Sequence, residues 1–417
     1  MGGQHAWASL GSELVMPNRR PQNWLLVSFD QWRGDWLHQP WLHLPVLRGV
    51  ARQGWDLRRC YTSSPQCVPA RVSWLTGQSP SELGLTINRP YTVAADAPSF
   101  VREMKQQCGY HTVLVGKTHW TPHEQPGDLR DNLPLLRSLG FDRAREIAGP
   151  KAMQRMSCEL TDLWRKAGVL DTYRADLRDR YSQRCRHCVR PSVLPDELYP
   201  DLWLAEIAVE ELKALPNDQP WLLWVSFPGP HEPFDVPAAW SRQRLIPDPE
   251  PRPKDPVLLD QLAPVGSVLA KKLQQWPDGV PVEALSALRQ DYANHLELLD
   301  QQVGQLLTAL RQRPDASETA VTICSDHGEL LGDWGLLLKG CFLEGAIRSL
   351  FIHQPPGGRH GLRRLWRCDG RPYGLTESLW AAKSAVAYPS LGSFGEHLRQ
   401  MPPEVTVAFA DEQMLVL

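Results

Sequence analysis

A chain of 417 residues, 42% of them hydrophobic, can fill one large α/β core or two ordinary ones without disulfide staples. A formal charge of −2 with no Lys/Arg block excludes a nucleic-acid surface, and no run approaches the ~20 apolar residues that span a bilayer. The nine cysteines, odd in number and irregular in spacing, form no disulfide framework, and residues 1–20 lack a secretory apolar run.

A cytoplasmic location is therefore expected, with residues 1–20 as a polar tail in which Met16 is a candidate start. Residues 24–29 (Trp-Leu-Leu-Val-Ser-Phe) are apolar without polar alternation, as suits a strand buried on both faces of a parallel sheet. Asp30 and Gln31 follow at its C-terminal end, where open α/β sheets collect ligands, although an isolated Asp there is more often a turn or helix cap. Residues 42–54 are expected to be a helix ending at Gly54.

A Ser/Pro/Thr-rich stretch then leads to Cys67-Val68-Pro69-Ala70-Arg71, with a helical pattern from Arg71 that stops at Gly77. Cys67 should sit just before a helix N-terminus, whose backbone N–H groups and positive dipole end suit an anionic sulfate or phosphate. The bland alternative is a small buried residue. A helix over 97–106 and a second buried strand over 111–115 follow, and Gly116-Lys117-Thr118-His119 leaves that strand's end. Lys117 and His119, two apart in extended chain, should point the same way.

Residues 124–200 carry few strand signals, and Cys185-Arg186-His187-Cys188 lacks the second half a zinc site would need. A helix over 199–215 leads into a third strand, 221–227, and a loop Pro228-Gly229-Pro230-His231-Glu232-Pro233-Phe234 whose prolines restrict the backbone around His231. After a proline-rich surface excursion over 247–264 comes a long helix, 282–310. The fourth apolar strand, 320–325, ends in Asp326-His327-Gly328-Glu329, with Gly332-Asp333, Lys339 and Glu344-Gly345-Ala346-Ile347-Arg348 downstream. The tryptophans are read as core in preference to sugar-stacking platforms.

Five segments, residues 25–35, 65–77, 116–123, 228–234 and 325–357, resemble in their order the motifs of the sulfatase family. The pairing of Asp30-Gln31 with Asp326-His327 looks more like its branch of choline sulfatases and phosphonate monoester hydrolases than like arylsulfatases. The resemblance implies an alkaline-phosphatase-like α/β fold: a large, mostly parallel central sheet with helices on both faces. It implies a catalytic domain over 21–357. Only about sixty residues follow Gly357, so the smaller C-terminal sheet domain is expected to be reduced or absent over 358–417, leaving the pocket open or completed by a second subunit in a homo-oligomer.

By the same resemblance Cys67 is oxidised to formylglycine by a formylglycine-generating enzyme, and Asp30, Gln31, Asp326 and His327 hold one divalent cation that the converted residue 67 also coordinates. Mostly oxygen ligands suit Ca²⁺, while the histidine admits Mn²⁺ or Mg²⁺. Arg71 would orient the hydrated aldehyde as it attacks sulfur. Lys117 and Lys339 would bind sulfate oxygens, His231 with Lys339 would assist the departing alcohol, and His119 would take a proton from the second hydroxyl so that sulfate is expelled. The implied substrate is a small-molecule or glycan sulfate ester. A phosphonate monoester or phosphodiester hydrolase with the same site, and a catalytically silent anion-binding relative, are the alternatives. Val68 and Ala70 give the cysteine motif a less common form, Trp334 stands where many relatives have His, and Ser349 where they commonly have Pro.

Overall fold

The computed structural model describes residues 23–123, 125–181, 188–263 and 267–356. The polar tail, Cys185 and His187, and the segment from Gly357 onward lie outside them. Seven strands build the central sheet: β1 (Asn23–Phe29), β2 (Trp55–Asp56), β3 (His111–Gly116), β4 (Arg143–Glu146), β5 (Trp221–Phe227), β6 (Thr319–Ser325) and β7 (Phe351–Gln354), in the order β2-β7-β6-β1-β5-β3-β4. From β6 to β4 every neighbouring pair is parallel, and β7 joins antiparallel to both β6 and β2.

Three of the four expected apolar strands, β1, β5 and β6, are buried at every position, which is why they show no alternation. β4, with the sequence Arg-Ala-Arg-Glu, was not expected. It is an edge strand whose Arg143 is exposed and ion-paired to Glu211, so it carries charge instead of an apolar signal.

Among the helices of the described residues that pack on the sheet are α1 (Pro45–Gln53), α2 (Cys67–Thr76), α3 (Phe100–Cys108), α4 (Pro200–Lys213) and α5 (Val282–Arg311). Alternate residues of β1 sort them into two layers. Leu25, Val27 and Phe29 pack with Leu47 of α1, Leu204 of α4 and Leu296 of α5. Trp24 and Leu26 pack with Val72 of α2 and Val101 of α3. Each such aliphatic side chain, fully removed from water, contributes about 1.5–3 kcal/mol. Eight tryptophans (24, 32, 36, 74, 120, 164, 221 and 224) are fully buried, as expected of core residues. No helix among the described residues is long and apolar enough to cross a membrane.

Two local outcomes refine the expectations. α1 does end before Gly54, but Gly54 is extended at φ −129°, and a Cβ there would fall 2.4 Å from the carbonyl oxygen of His353. Close approach of β7, not helix capping, demands this glycine. α2 starts at Cys67 instead of at Arg71, because Gln66 is the extended cap residue and Pro69 is tolerated within a first turn. It stops at Gly77, whose φ of 71° is the left-handed cap conformation.

Candidate active site at the carboxyl edge of the sheet

Register assembles the site. Phe29 lies level with Phe227 and Ser325, and Gly116 with Ser226, so Asp30, Pro228, Asp326 and Lys117 leave the sheet along one edge. Backbone bonds tie these exits together: Asp30 N–H donates to Gly229 O at 3.1 Å, Asp326 N–H to Phe29 O at 3.2 Å, and Lys117 N–H to Ser226 O at 2.9 Å.

Above that edge Asp30, Cys67, Asp326 and His327 each present one ligand atom, all within 4.8 Å of one another and all buried. Cys67 Sγ lies 3.2 Å from His327 Nε2 and 3.5 Å from Asp30 Oδ1. His327 Nδ1 is 3.0 Å from Gly328 O, which can only accept, so Nδ1 carries a proton and Nε2 is the nitrogen that faces the cluster. Two carboxylates and an imidazole so oriented fit a metal cation.

Burial and the nearby Cys67 push the Asp30 carboxyl up, but Lys117, His231 and Arg71 outweigh them and hold it well below the usual carboxylate range. Burial likewise raises the Cys67 thiol, and Lys339, Lys117 and His327 reverse it to well below an ordinary cysteine. For His327 burial favours the neutral ring, yet Asp326 and Cys67 lift its pKa above the usual value.

Gln31 lies beside this cluster in a left-handed conformation, φ 72°, held by Tyr292 Oη donating to its carbonyl at 2.6 Å and by its own N–H donating to Asp326 Oδ1 at 2.9 Å. Its amide nitrogen donates to Glu232 Oε2 at 3.1 Å and to Glu329, while its amide oxygen accepts from Lys339 Nζ. The carboxylates on one side and the ammonium on the other fix which end of the amide is which.

Arg71, 1% exposed, braces the site from below. Its Nε donates to Asp326 Oδ2 at 2.8 Å, and one terminal nitrogen to Lys117 O and Ser226 Oγ, both at 2.9 Å. The other terminal nitrogen, 3.6 Å from Asp30 Oδ2, has no hydrogen-bond partner. Lys117 Nζ pairs with Asp30. Lys117 and His119 both act on Cys67, but His119 stands at φ 60° and not in the extended chain that the sequence suggested. Burial pulls the His119 imidazole below the ordinary value, although a hydrogen bond to Cys67 works the other way. Its ring stacks on His123 with centroids 4.8 Å apart. His231 Nδ1 lies 2.7 Å from Glu232 O and 3.2 Å from Glu232 Oε2.

One expectation is corrected. The N-terminus of α2 does not offer a row of free N–H groups, because Val68 N–H donates to Asn88 Oδ1 at 2.9 Å and Pro69 has none.

Several participants carry no signal of their own. The side chains of Asn88 and Ser226 each take part through one hydrogen bond, from a loop and a strand end. Tyr292 lies on α5, far along the chain. Glu232 and Glu329 stand inside the quoted motifs, one and two residues after His231 and His327, and that nearness was the available clue. Behind the His231 loop, Asp201 accepts from Gly229 N–H at 3.0 Å and lies 2.8 Å from His295 Nε2.

Comparison with known proteins places this geometry in context. A family profile described as Sulfatase matches residues 22–365. An arylsulfatase of Clostridium perfringens (strain 13 / Type A) is 28% identical over 349 residues, covering 80% of this chain and 69% of the relative. A choline-sulfatase of Rhizobium meliloti (strain 1021) is 27% identical over 358 residues, covering 82% and 64%. The chain thus spans about two thirds of the length of these curated relatives. Among solved structures, the phosphonate monoester hydrolase of Agrobacterium radiobacter superposes with a TM-score of 0.61 at 23% identity, over 87% of this chain and 74% of that one. The phosphonate monoester hydrolase SpPMH from Silicibacter pomeroyi gives 0.62 at 20% identity, over 90% and 76%. Both likenesses speak to the fold.

Proposed function

This chain belongs to the sulfatase family, and from that premise we propose that it hydrolyses a sulfate monoester, small-molecule or glycan, to an alcohol and inorganic sulfate. The proposed catalytic unit is residues 21–357, with residue 67 as nucleophile after a formylglycine-generating enzyme has oxidised its thiol. The observation that carries this reading is the buried cluster of Asp30, Cys67, Asp326 and His327 within 4.8 Å, faced by Lys117, Lys339 and Arg71.

A sulfate ester resists hydrolysis because its anionic oxygens repel a nucleophile and an alkoxide leaves poorly. Oxidised, residue 67 supplies a hydrated aldehyde, one hydroxyl to attack sulfur and a second that lets sulfate leave by elimination. A divalent cation held by Asp30, Asp326, His327 Nε2 and the Gln31 amide, Ca²⁺ on its mostly oxygen donors or else Mn²⁺ or Mg²⁺, supplies positive charge against the sulfate. Lys117 and Lys339 bind sulfate oxygens. Arg71 fixes Asp326 and orients residue 67 through its uncommitted nitrogen. His119, favoured neutral by its burial, takes the proton of the second hydroxyl. His231, with Nδ1 engaged by Glu232, keeps Nε2 for the departing oxygen. A cytoplasmic location belongs to this reading, on the odd count and irregular spacing of the cysteines in the sequence.

Cys67→Ser and Cys67→Ala, assayed on aryl sulfates, are expected to lose more than about a thousandfold in turnover. The Cys67 peptide from the native host should be about 18 Da lighter than its sequence requires. Full activity in Cys67→Ser rules out the formylglycine route, and an unmodified thiol from the native host favours a silent anion-binding relative. Gln31 and His327 at the cluster favour phosphonate monoesters as the second substrate class. Aryl sulfate and aryl phosphonate measured side by side separate the two.

A further inference from the structure

Glu232 occupies the variable position of the Pro-His-x-Pro-Phe loop, and beyond its contact with His231 Nδ1 the steps above give it no task. Its carboxylate nevertheless touches three residues of the site. Oε2 lies 3.2 Å from His231 Nδ1, 3.1 Å from Gln31 Nε2 and 3.9 Å from Lys339 Nζ. The side chain is 14% exposed, and its own main-chain oxygen lies 2.7 Å from the same His231 nitrogen. Both of these oxygens can only accept, so Nδ1 of His231 must bear a proton and the ring is clasped from two directions through one edge. The opposite edge, Nε2, is the nitrogen left for a substrate. Lys339 meets Glu232 and Gln31 together, so its ammonium is drawn to a point set by an anion and an amide oxygen.

We infer that Glu232 is the positioning residue of the leaving-group apparatus, joining His231 and Lys339 into one unit aimed at the ester oxygen. The inference rests on the hydrolase reading above. As the bond from sulfur to the ester oxygen breaks, its electron pair goes to that oxygen, which takes the proton from His231 Nε2. An N–H bond breaks, an O–H bond forms, and the ring ends neutral with Nδ1–H still donated to Glu232. Glu232 itself exchanges no proton and touches no substrate. Its influence therefore scales with how much protonation the leaving group needs.

The test is a leaving-group series on the full chain with its residue 67 modified: aryl sulfates from 4-nitrophenyl to phenyl, repeated with aryl phosphonates, for wild type, Glu232→Gln, His231→Ala and the double variant. Glu232→Gln should change kcat/KM on the 4-nitrophenyl ester by less than about threefold and on the phenyl ester by more than about tenfold, and the double variant should be no worse than His231→Ala. An equal loss across the series, or additive losses in the double variant, overturns the positioning role. A proton NMR measurement decides the matter without turnover. A downfield, slowly exchanging imidazole N–H resonance should vanish in His231→Ala and move upfield in Glu232→Gln, with the rest of the spectrum preserved. An unmoved resonance overturns the inference. Failure of wild type on every ester overturns the hydrolase reading, and the NMR result still decides whether Glu232 holds His231.

Discussion

Arg71 Nε and Asp326 Oδ2 meet at 2.8 Å with both side chains shut away from water. This ion pair couples α2, which carries residue 67, to the end of β6, which carries two other members of the cluster. Removing one partner leaves an uncompensated buried charge, a loss of about 3–5 kcal/mol. Arg71→Ala should therefore lower the urea midpoint as well as abolish activity. Arg71→Lys should recover part of the stability and little of the activity, since one ammonium cannot serve Asp326, Lys117 O and Ser226 Oγ at once.

Cation binding should be visible without catalysis. A ligand that binds only the folded state stabilises it by about 2.7 kcal/mol at a hundredfold excess over Kd. Scanning calorimetry after chelation, then with Ca²⁺, Mn²⁺ or Mg²⁺ restored, should show a rise in Tm for wild type that Asp326→Asn lacks. A wild-type Tm indifferent to all three ions contradicts the proposed site.

His353 on β7 provides a pH signature away from the site. Burial lowers its pKa to about 4, and Nδ1 lies 2.9 Å from Thr322 Oγ1. Between that value and the ordinary 6.5 the unfolded chain binds the proton more readily than the folded one, so this contribution is present above pH 6.5 and is lost as pH falls toward 4. The window corresponds to on the order of 3 kcal/mol. The stability difference between wild type and His353→Gln should shift by that order across it. Equal pH dependence in both proteins contradicts the assignment.

Gly116 ends β3 at φ 114°, and a Cβ there would fall 2.0 Å from Ser226 O. That oxygen also accepts from Lys117 N–H at 2.9 Å. Gly116→Ala combines a disfavoured backbone with a clash inside the sheet, and should cost at least about 3 kcal/mol in denaturant unfolding. Any folded fraction should bind sulfate weakly, because Lys117 begins at the displaced bond.

Burial on both faces made the core strands legible. A strand such as Trp221–Phe227, buried on both faces, has to be apolar throughout, and the polar residue that ends the run then marks the ligand edge. Asp30, Lys117, His231 and Asp326 could be found this way because each follows such a run. β4 could not, since an edge strand with Arg143 in water satisfies its side chains by ion pairing and leaves no apolar period. Asn88 and Tyr292 were equally unreadable. The bonds from Asn88 to Val68 N–H and from Tyr292 to Gln31 O join segments whose proximity only the finished fold creates. The N-terminus of α2 shows the converse, a pattern that suggested anion binding until a side chain from elsewhere filled it.

The position of β1 between β5 and β6 has a consequence in time. Cys67 is 1% exposed in the finished fold, yet it leaves the ribosome roughly 260 residues before the end of β6, the strand that carries Asp326 and His327 into place. At about 5–20 residues per second that interval lasts roughly ten seconds to a minute. On the proposed formylglycine route, an enzyme that must grasp the thiol would have this interval of synthesis in which to act before closure of the sheet hides it. The same topology that completes the site would then set the deadline for activating it.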